Sequence, residues 1–444
     1  MKKIISLILT TFMVLSTVGC GEKQNITNNN SDSDYSKQTN TFITENSKEK
    51  LYEIVYADNF SDGYAWININ ETKKQNNEQR VCIDKSGRIQ FFLDDIVDSY
   101  ANVHVSNFKD GFCVINVEYK DEKDKDIIIN TKGEIVMSST DGIFDKVLCF
   151  GNGYFAVEKY VNDFHTAEYK VFIIDHNGNQ IGDYCLSSQE SNSTSVDYRG
   201  EGVFKFKNSS NSDHSSLFFT KNKKVLNFDN ISFYTGFKDG KCVIKKDNEY
   251  NFLYTNGSIE KIKLDVPEEA KLFLDYQLLT ENGTCYNIEN GKKVDYYFYD
   301  ISTGKSNKIY SSGEGLQIDS NSLKFENGYS VLNIIGAEAE YFTVIDKKGN
   351  FQFEPIECDY VLPITSNRVI ASTPLDEYII FDETGKKIYY SDVNTISDTF
   401  YDDFAVIKKV IEIGERKYTS IDYNYVDKNG KLLFENNKIS YTEE

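Results

Sequence analysis

The chain has 444 residues and a formal net charge of -20, so it repels phosphate backbones, and nucleic acid is excluded as a partner on charge. Four Pro rule out a collagen-like or proline-rich chain, and 31 Tyr with 30 Phe against 1 Trp and 3 Met favour pleated sheet, where flat side chains pack well. At roughly 150 residues per domain, the length allows two or three domains or one large repeat architecture.

At the N-terminus, Lys2 and Lys3 precede an apolar run over residues 4–18. That run is shorter than the roughly 20 residues a membrane-spanning helix needs and matches a secretory h-region. It ends in Thr17, Val18, Gly19 and Cys20. This ending resembles the bacterial lipobox, in which small residues precede a cysteine that takes a thioether-linked diacylglycerol before cleavage. The resemblance implies that residues 1–19 are a lipoprotein signal peptide and that the mature chain begins at acylated, palmitate-bearing Cys20, on the extracytoplasmic face of the cell membrane. Cleavage removes two lysines and no acids from the net of -20, leaving -22. An acidic body is repelled by anionic lipid, so the acyl chains must hold it, at about 0.8 kcal/mol per buried methylene. Residues 20–50 are then a polar tether. Asn28, Asn29, Asn30, Ser31, Asp32, Ser33 and Asp34 lie near its centre, and such a segment cannot bury enough apolar surface to offset its ordering entropy.

Over residues 51–444 a two-part pattern returns. The first part is a turn followed by a strand, at Asp62-Gly63, Asp110-Gly111, Asn152-Gly153, Asp239-Gly240, Asn327-Gly328 and Asp402-Asp403. Asp-Gly and Asn-Gly supply the positive φ that a tight hairpin turn demands, and the alternating residues after them predict a half-buried strand. The second part is a hairpin in which an apolar strand runs into a polar turn. Examples are Ile83-Asp84-Lys85-Ser86-Gly87, Ile174-Asp175-His176-Asn177-Gly178, Ile345-Asp346-Lys347-Lys348-Gly349, Phe381-Asp382-Glu383-Thr384-Gly385 and Val426-Asp427-Lys428-Asn429-Gly430. Further copies turn at Gly133, Gly257 and Gly304, and a degraded one covers Phe219-Thr220-Lys221-Asn222-Lys223. The mean spacing of these turns is about 43 residues, the size of a four-stranded propeller blade. Stacking such units buries their faces, and closing the stack removes exposed edges. The pattern therefore predicts an all-β repeat protein, a β-propeller of seven to nine blades, with the strand over residues 51–56 completing the last blade.

The copy over Phe325-Glu326-Asn327-Gly328-Tyr329-Ser330-Val331, its hairpin Asp346-Lys347-Lys348-Gly349 and its exit Phe353-Glu354-Pro355 resemble the Trp-Gly (WG) repeats of bacterial proteins. Trp66 is followed by Ile67, so the repeats are degenerate relative to that family. The resemblance implies interaction surfaces rather than a reaction.

The search for chemistry returns no Cys-x-x-Cys pair, Gly-x-Ser-x-Gly elbow, His-Glu-x-x-His pair or glycine-rich phosphate loop. Seven cysteines remain after Cys20. Cys113, Cys242 and Cys285 all fall two places after a turn glycine, where Ala65 and Ser330 also stand, as does Ala405 in the glycine-less copy; Phe155 is the exception, and the position mostly wants a small buried side chain. His104, His165, His176 and His214 are too far apart in sequence to share one strand as ligands. The turn acids Asp84, Asp175, Asp346, Asp382 and Asp427 are read as turn-formers, because Asp-x-x-Gly offers one carboxylate where calcium needs six to eight oxygens. Tyr64, Tyr154 and Tyr329, beside turn glycines, fit either packing or the stacking of sugars.

No catalytic, metal or cofactor-binding residue is therefore assigned, and Cys20 is the one assigned site, for lipidation. The leading reading is a lipid-anchored cell-surface binding scaffold, more a binder than an enzyme, for an unidentified protein or polysaccharide. The alternative is a surface glycoside hydrolase with paired carboxylates. For it the candidate acids are Asp94-Asp95, Asp402-Asp403, and Asp265 with Glu268 and Glu269.

Overall fold

The computed structural model describes residues 49–442, apart from 73–77, 99, 163–166, 189–193, 209–213, 230, 248, 274–276, 314, 320, 376, 392–393, 397–398 and 414–417. Cys20, the signal peptide and nearly all of the tether fall outside the described residues. The first strand, Glu49–Ala57, begins two residues before the expected domain start.

Each repeat becomes one antiparallel sheet, and among the described residues nine sheets follow one another. Blades 1 to 9 cover residues 49–95, 102–141, 146–188, 194–229, 231–261, 271–311, 317–358, 360–391 and 394–437. The degraded copy is a full blade, built from Thr194–Tyr198, Val203–Asn208, His214–Phe219 and Lys224–Asp229. The expected propeller is thus present, at the upper end of the expected blade number.

The strand after each first turn is not half-buried as alternation suggested. Ala65, Trp66 and Ile67 are consecutive and all buried, because a blade has a neighbour on both faces. Successive side chains point to opposite faces of a strand. Trp66 therefore joins Phe91, Phe108, Cys113 and Ile115 between blades 1 and 2, whereas Ala65 and Ile67 join Val406 and Tyr425 between blades 1 and 9. The core is a set of nine such layers, one per blade junction.

The layer between blades 9 and 1 closes the ring. Phe60 packs against Phe404 and Tyr425 with centroids 4.8 Å apart in both cases, and the Tyr425 hydroxyl donates to the Asp58 carbonyl at 2.6 Å. Closure by strand exchange runs opposite to expectation. The N-terminal strand stays in the first blade, and the C-terminal strand Lys438–Thr442 crosses to pair beside it, giving that sheet five strands. The reason is a gap of few residues: after Val426↔Leu432 the chain leaves blade 9 through the 3-10 turn Glu435–Asn437 and next meets the edge of Glu49–Ala57.

The Asp-x-x-Gly hairpins are turn devices as expected. Asp346 Oδ1 accepts the backbone N–H groups of Lys348 and Asn350 at 2.8 and 2.9 Å, and Asp382 Oδ1 accepts those of Thr384 and Lys386, both at 2.9 Å. The glycine that ends each turn has positive φ, 82° at Gly349 and 83° at Gly385. Burial raises the carboxyl pKa of Asp84, Asp175, Asp346 and Asp382. Hydrogen bonds from the turn outweigh it, so all four lie below the usual value of 3.8. A depressed folded pKa contributes stability that is present above pH 3.8 and is lost as pH falls through the folded values. Asp126 and Glu326, raised by burial, work in the opposite direction. With the lowered carboxyls in the majority, the urea midpoint at pH 3 is expected to fall well below that at pH 5.

Lys223 occupies the glycine position of the degraded hairpin with φ of 55°. A side chain there is strained where glycine is not, so Lys223→Gly is expected to raise stability by about 0.5–1 kcal/mol, read as a higher melting temperature.

Candidate functional site

The first turn of every blade carries a non-glycine residue in the left-handed region. These residues are Asp62, Asp110, Asn152, Glu201, Asp239, Asn282, Asn327, Ser366 and Asp402, with φ between 48 and 55°. At six blade junctions an acid at one turn accepts a backbone N–H of the next. Asp62 accepts Gly111 at 2.5 Å, Glu201 accepts Gly240 at 2.9 Å, and Glu326 accepts Ser366 at 2.8 Å. Asp110 accepts Asn152. Asp402 accepts Gly63 at 2.7 Å and so carries the chain of bonds across the closure. Glu281 accepts both Asn327 and Gly328, at 2.9 and 3.2 Å, and pairs with the Lys347 ammonium at 2.8 Å. These contacts gather the first turns at one end of the blades.

On the side of blades 2 to 4 the gathered turns are packed shut. The Lys109 ammonium of blade 2 sits 4.0 Å over the Tyr198 ring of blade 4, and the blade between them provides Gly151, where a Cβ would fall 2.4 Å from that ring. Burial lowers the Lys109 pKa, with the Asp110 charge opposing. On the side of blades 5 to 9 the mouth is open. A cavity of about 620 Å³ is lined by Lys238, Glu281, Lys324, Phe325, Glu326 and Thr365, with Thr280, Asn327, Pro363, Ile364 and Thr399 completing the wall. Five successive blades contribute to it. Burial pushes the Glu326 carboxyl up, the Ser366 N–H pulls it down, the Glu281 charge raises it further and Lys238 lowers it. The cavity thus presents a cation, hydroxyls and an apolar floor, while both carboxylates already hold backbone N–H groups.

The acids named from sequence do not assemble. Asp94 and Asp95 are exposed on the 3-10 turn Leu93–Asp95, and Asp265, Glu268 and Glu269 are exposed. Asp402 belongs to the ring of turns, and Asp403 pairs with Lys428 at 3.1 Å. The pair at the mouth, Glu281 and Glu326, was not singled out. Glu281 precedes Asn282-Gly283 and Glu326 precedes Asn327-Gly328, so an acid one place before the turn was the available signal.

Cys113, Cys242 and Cys285 are fully buried, as are Ala65, Ser330 and Ala405 at the same repeat position. Cys113 Sγ donates to the Ser106 carbonyl at 3.1 Å. Burial pushes the thiols of Cys113 and Cys242 up to about 12, so they are inert packing groups. The seven cysteines of the described residues are free thiols. His104 and His176 are exposed, and His176 stacks on Phe112. His165 and the side chain of His214 lie outside the described residues. Among the described residues no group of three or more His, Cys, Asp or Glu could hold a metal ion. Tyr64, Tyr154 and Tyr329 are half-buried, and Tyr64 packs on Phe108 with centroids 5.2 Å apart. Packing rather than an open stacking platform describes them.

No family model matches the chain, and no curated protein matches it. Among solved structures, it is similar to a eukaryotic initiation factor at 10% identity and a TM-score of 0.42, covering 89% of this chain and 96% of that one. It is also similar to BamB from Moraxella catarrhalis, at 11% identity and a TM-score of 0.30 over 67% and 88% of the two chains. A prolyl endopeptidase aligns at 9% identity and a TM-score of 0.30 over 86% of this chain, which spans about half, 54%, of the peptidase.

Proposed function

We propose that the protein is a lipid-anchored, extracytoplasmic binding scaffold of WG-repeat type, held by acylated Cys20 and offering the propeller mouth to a protein or polysaccharide of the cell envelope. The observation that carries the binding part is the cavity built by blades 5 to 9, a concave, partly apolar site on a rigid ring with convergent polar groups. The anchor rests on Lys2, Lys3, the apolar run and Cys20. Wild-type protein immobilised on beads is expected to retain an envelope component that Lys238→Glu fails to retain. Equal retention by both would remove the mouth from the account. Cys20→Ala is expected to move the protein from the membrane fraction to the soluble fraction.

A second reading, a glycan hydrolase, is favoured by one feature: Glu326, whose carboxyl burial pushes up, lines the same cavity wall as a second carboxylate, Glu281, and glycoside hydrolases act through two carboxyl groups. Release of reducing sugar from envelope polysaccharide, abolished by Glu326→Gln, would establish this reading. Retention of intact polysaccharide by wild type and Glu326→Gln alike supports the scaffold.

A further inference from the structure

The first strand fixes the end at which the chain enters the ring. Glu49–Ala57 leads directly into the first turn at Asp62-Gly63, and the Gly63 N–H is one of the groups held by the ring of turn acids. Ala57 is therefore at the mouth end and Glu49 at the opposite end, about 30 Å away for a strand of this length at roughly 3.3 Å per residue. Blades 6 and 7, which wall the mouth, run the same way. In blade 7, Tyr329 follows the first turn and pairs with Asp346 of the hairpin, and Lys347 of that hairpin reaches Glu281 at the mouth. In blade 6, Gly283 at the first turn pairs with Asp300, and the same two strands meet their far turn at Gly291 and Lys292, beyond the pair Asn290 and Lys293.

Residues 20–48, read from sequence as a polar coil, join that far end to Cys20. A flexible coil of this length has a root-mean-square span of about 30 Å. With the far end towards the lipid, the coil keeps that span freely. With the mouth against the lipid, Glu49 stands a blade's length above the bilayer, so the coil is stretched along the membrane normal and loses entropy. We infer that the mouth opens away from the bilayer and meets its ligand on the outer side, at least about 30 Å beyond the lipid surface. The ligand is accordingly a component outside the bilayer, not a lipid headgroup or a membrane-embedded segment. This deepens the reading of the mouth given above and rests on the anchor at Cys20.

Energy transfer to lipid tests it, on full-length protein carrying its anchor and inserted from outside into phosphatidylcholine vesicles with an acceptor dye on the headgroups. Such vesicles carry no net charge, so geometry sets the orientation. A donor dye is attached at Lys348→Cys, an exposed hairpin position at the mouth end, or at Lys292→Cys, in the exposed far turn. The seven native thiols of the described residues are buried or half-buried, and wild type supplies the labelling blank. Transfer from position 292 is expected to exceed that from position 348 at least twofold. Equal transfer, or stronger transfer from position 348, overturns the inference. Protein that stays in the supernatant and transfers from neither position overturns the anchor as well. Cys20→Ala protein that binds phosphatidylglycerol vesicles, and loses that binding with Lys238→Glu, would put a headgroup in the mouth and also overturn the inference.

Discussion

Trp66→Ala is expected to lower the unfolding free energy by about 3–5 kcal/mol, the range for removing a large aromatic side chain from a packed core. The ring is 1% exposed and lies between two blades. It meets Phe91 edge-on at 5.5 Å and stacks on Phe108 at 6.1 Å. Alanine would leave a void bounded by two different sheets, which cannot collapse without moving a whole blade. Urea denaturation followed by circular dichroism measures the loss, since this is the only tryptophan and fluorescence disappears with it. Trp66→Phe keeps an aromatic ring in the layer, and its loss is expected to be smaller than that of alanine. A loss below about 1 kcal/mol for alanine would mean that blades 1 and 2 are not in face-to-face contact.

Deletion of residues 438–444 is expected to have an effect of similar size together with a change of association state. It removes Ile439, buried in the closing layer, and Tyr441, which packs edge-on against Phe92 at 5.1 Å. Full burial of an isoleucine contributes about 1.5–3 kcal/mol, and the ladder to Glu49–Ala57 is lost as well. That strand would then present an open edge, and open edges pair with other chains. A lower melting temperature and a shift to larger species in sedimentation are expected. An unchanged monomer with unchanged melting would show that the last strand adds nothing to closure.

Much of this architecture was legible because its punctuation is local. A glycine at positive φ such as Gly349 or Gly385 has a type and a spacing that survive sequence drift, and the aspartate three places earlier marks the turn chemically. Where the type drifts, the signal fades: Glu201-Gly202 and Ser366-Asn367 take the same turn conformation as Asp62-Gly63, without the Asp or Asn at the first place that announces it. There the neighbouring blades impose the conformation. Alternation was misread for a related reason, since Trp66 and Ile67 can both be buried only if each sheet has two neighbours, a fact of assembly rather than of the strand.

The mouth was hidden for the same cause. Lys238, Glu281, Glu326 and Thr365 come from four different blades, and only ring closure brings residues so far apart in sequence to one wall. The fate of Asp402 shows the limit. Its sequence neighbour Asp403 suggested a carboxylate pair, yet the partner that matters to it is Gly63.

Closure of nine blades into one ring, sealed by the last strand, supports every other inference. Lys438 Nζ lies 3.6 Å from Glu53 Oε1 across that seal, and Lys428 Nζ lies 3.1 Å from Asp403 Oδ2 within blade 9. Zero-length carbodiimide cross-linking of dilute protein, read by peptide mass spectrometry, should yield an intramolecular amide between Lys438 and Glu53 alongside the internal one. Recovery of the Lys428–Asp403 link with none between Lys438 and Glu53 would contradict a closed ring.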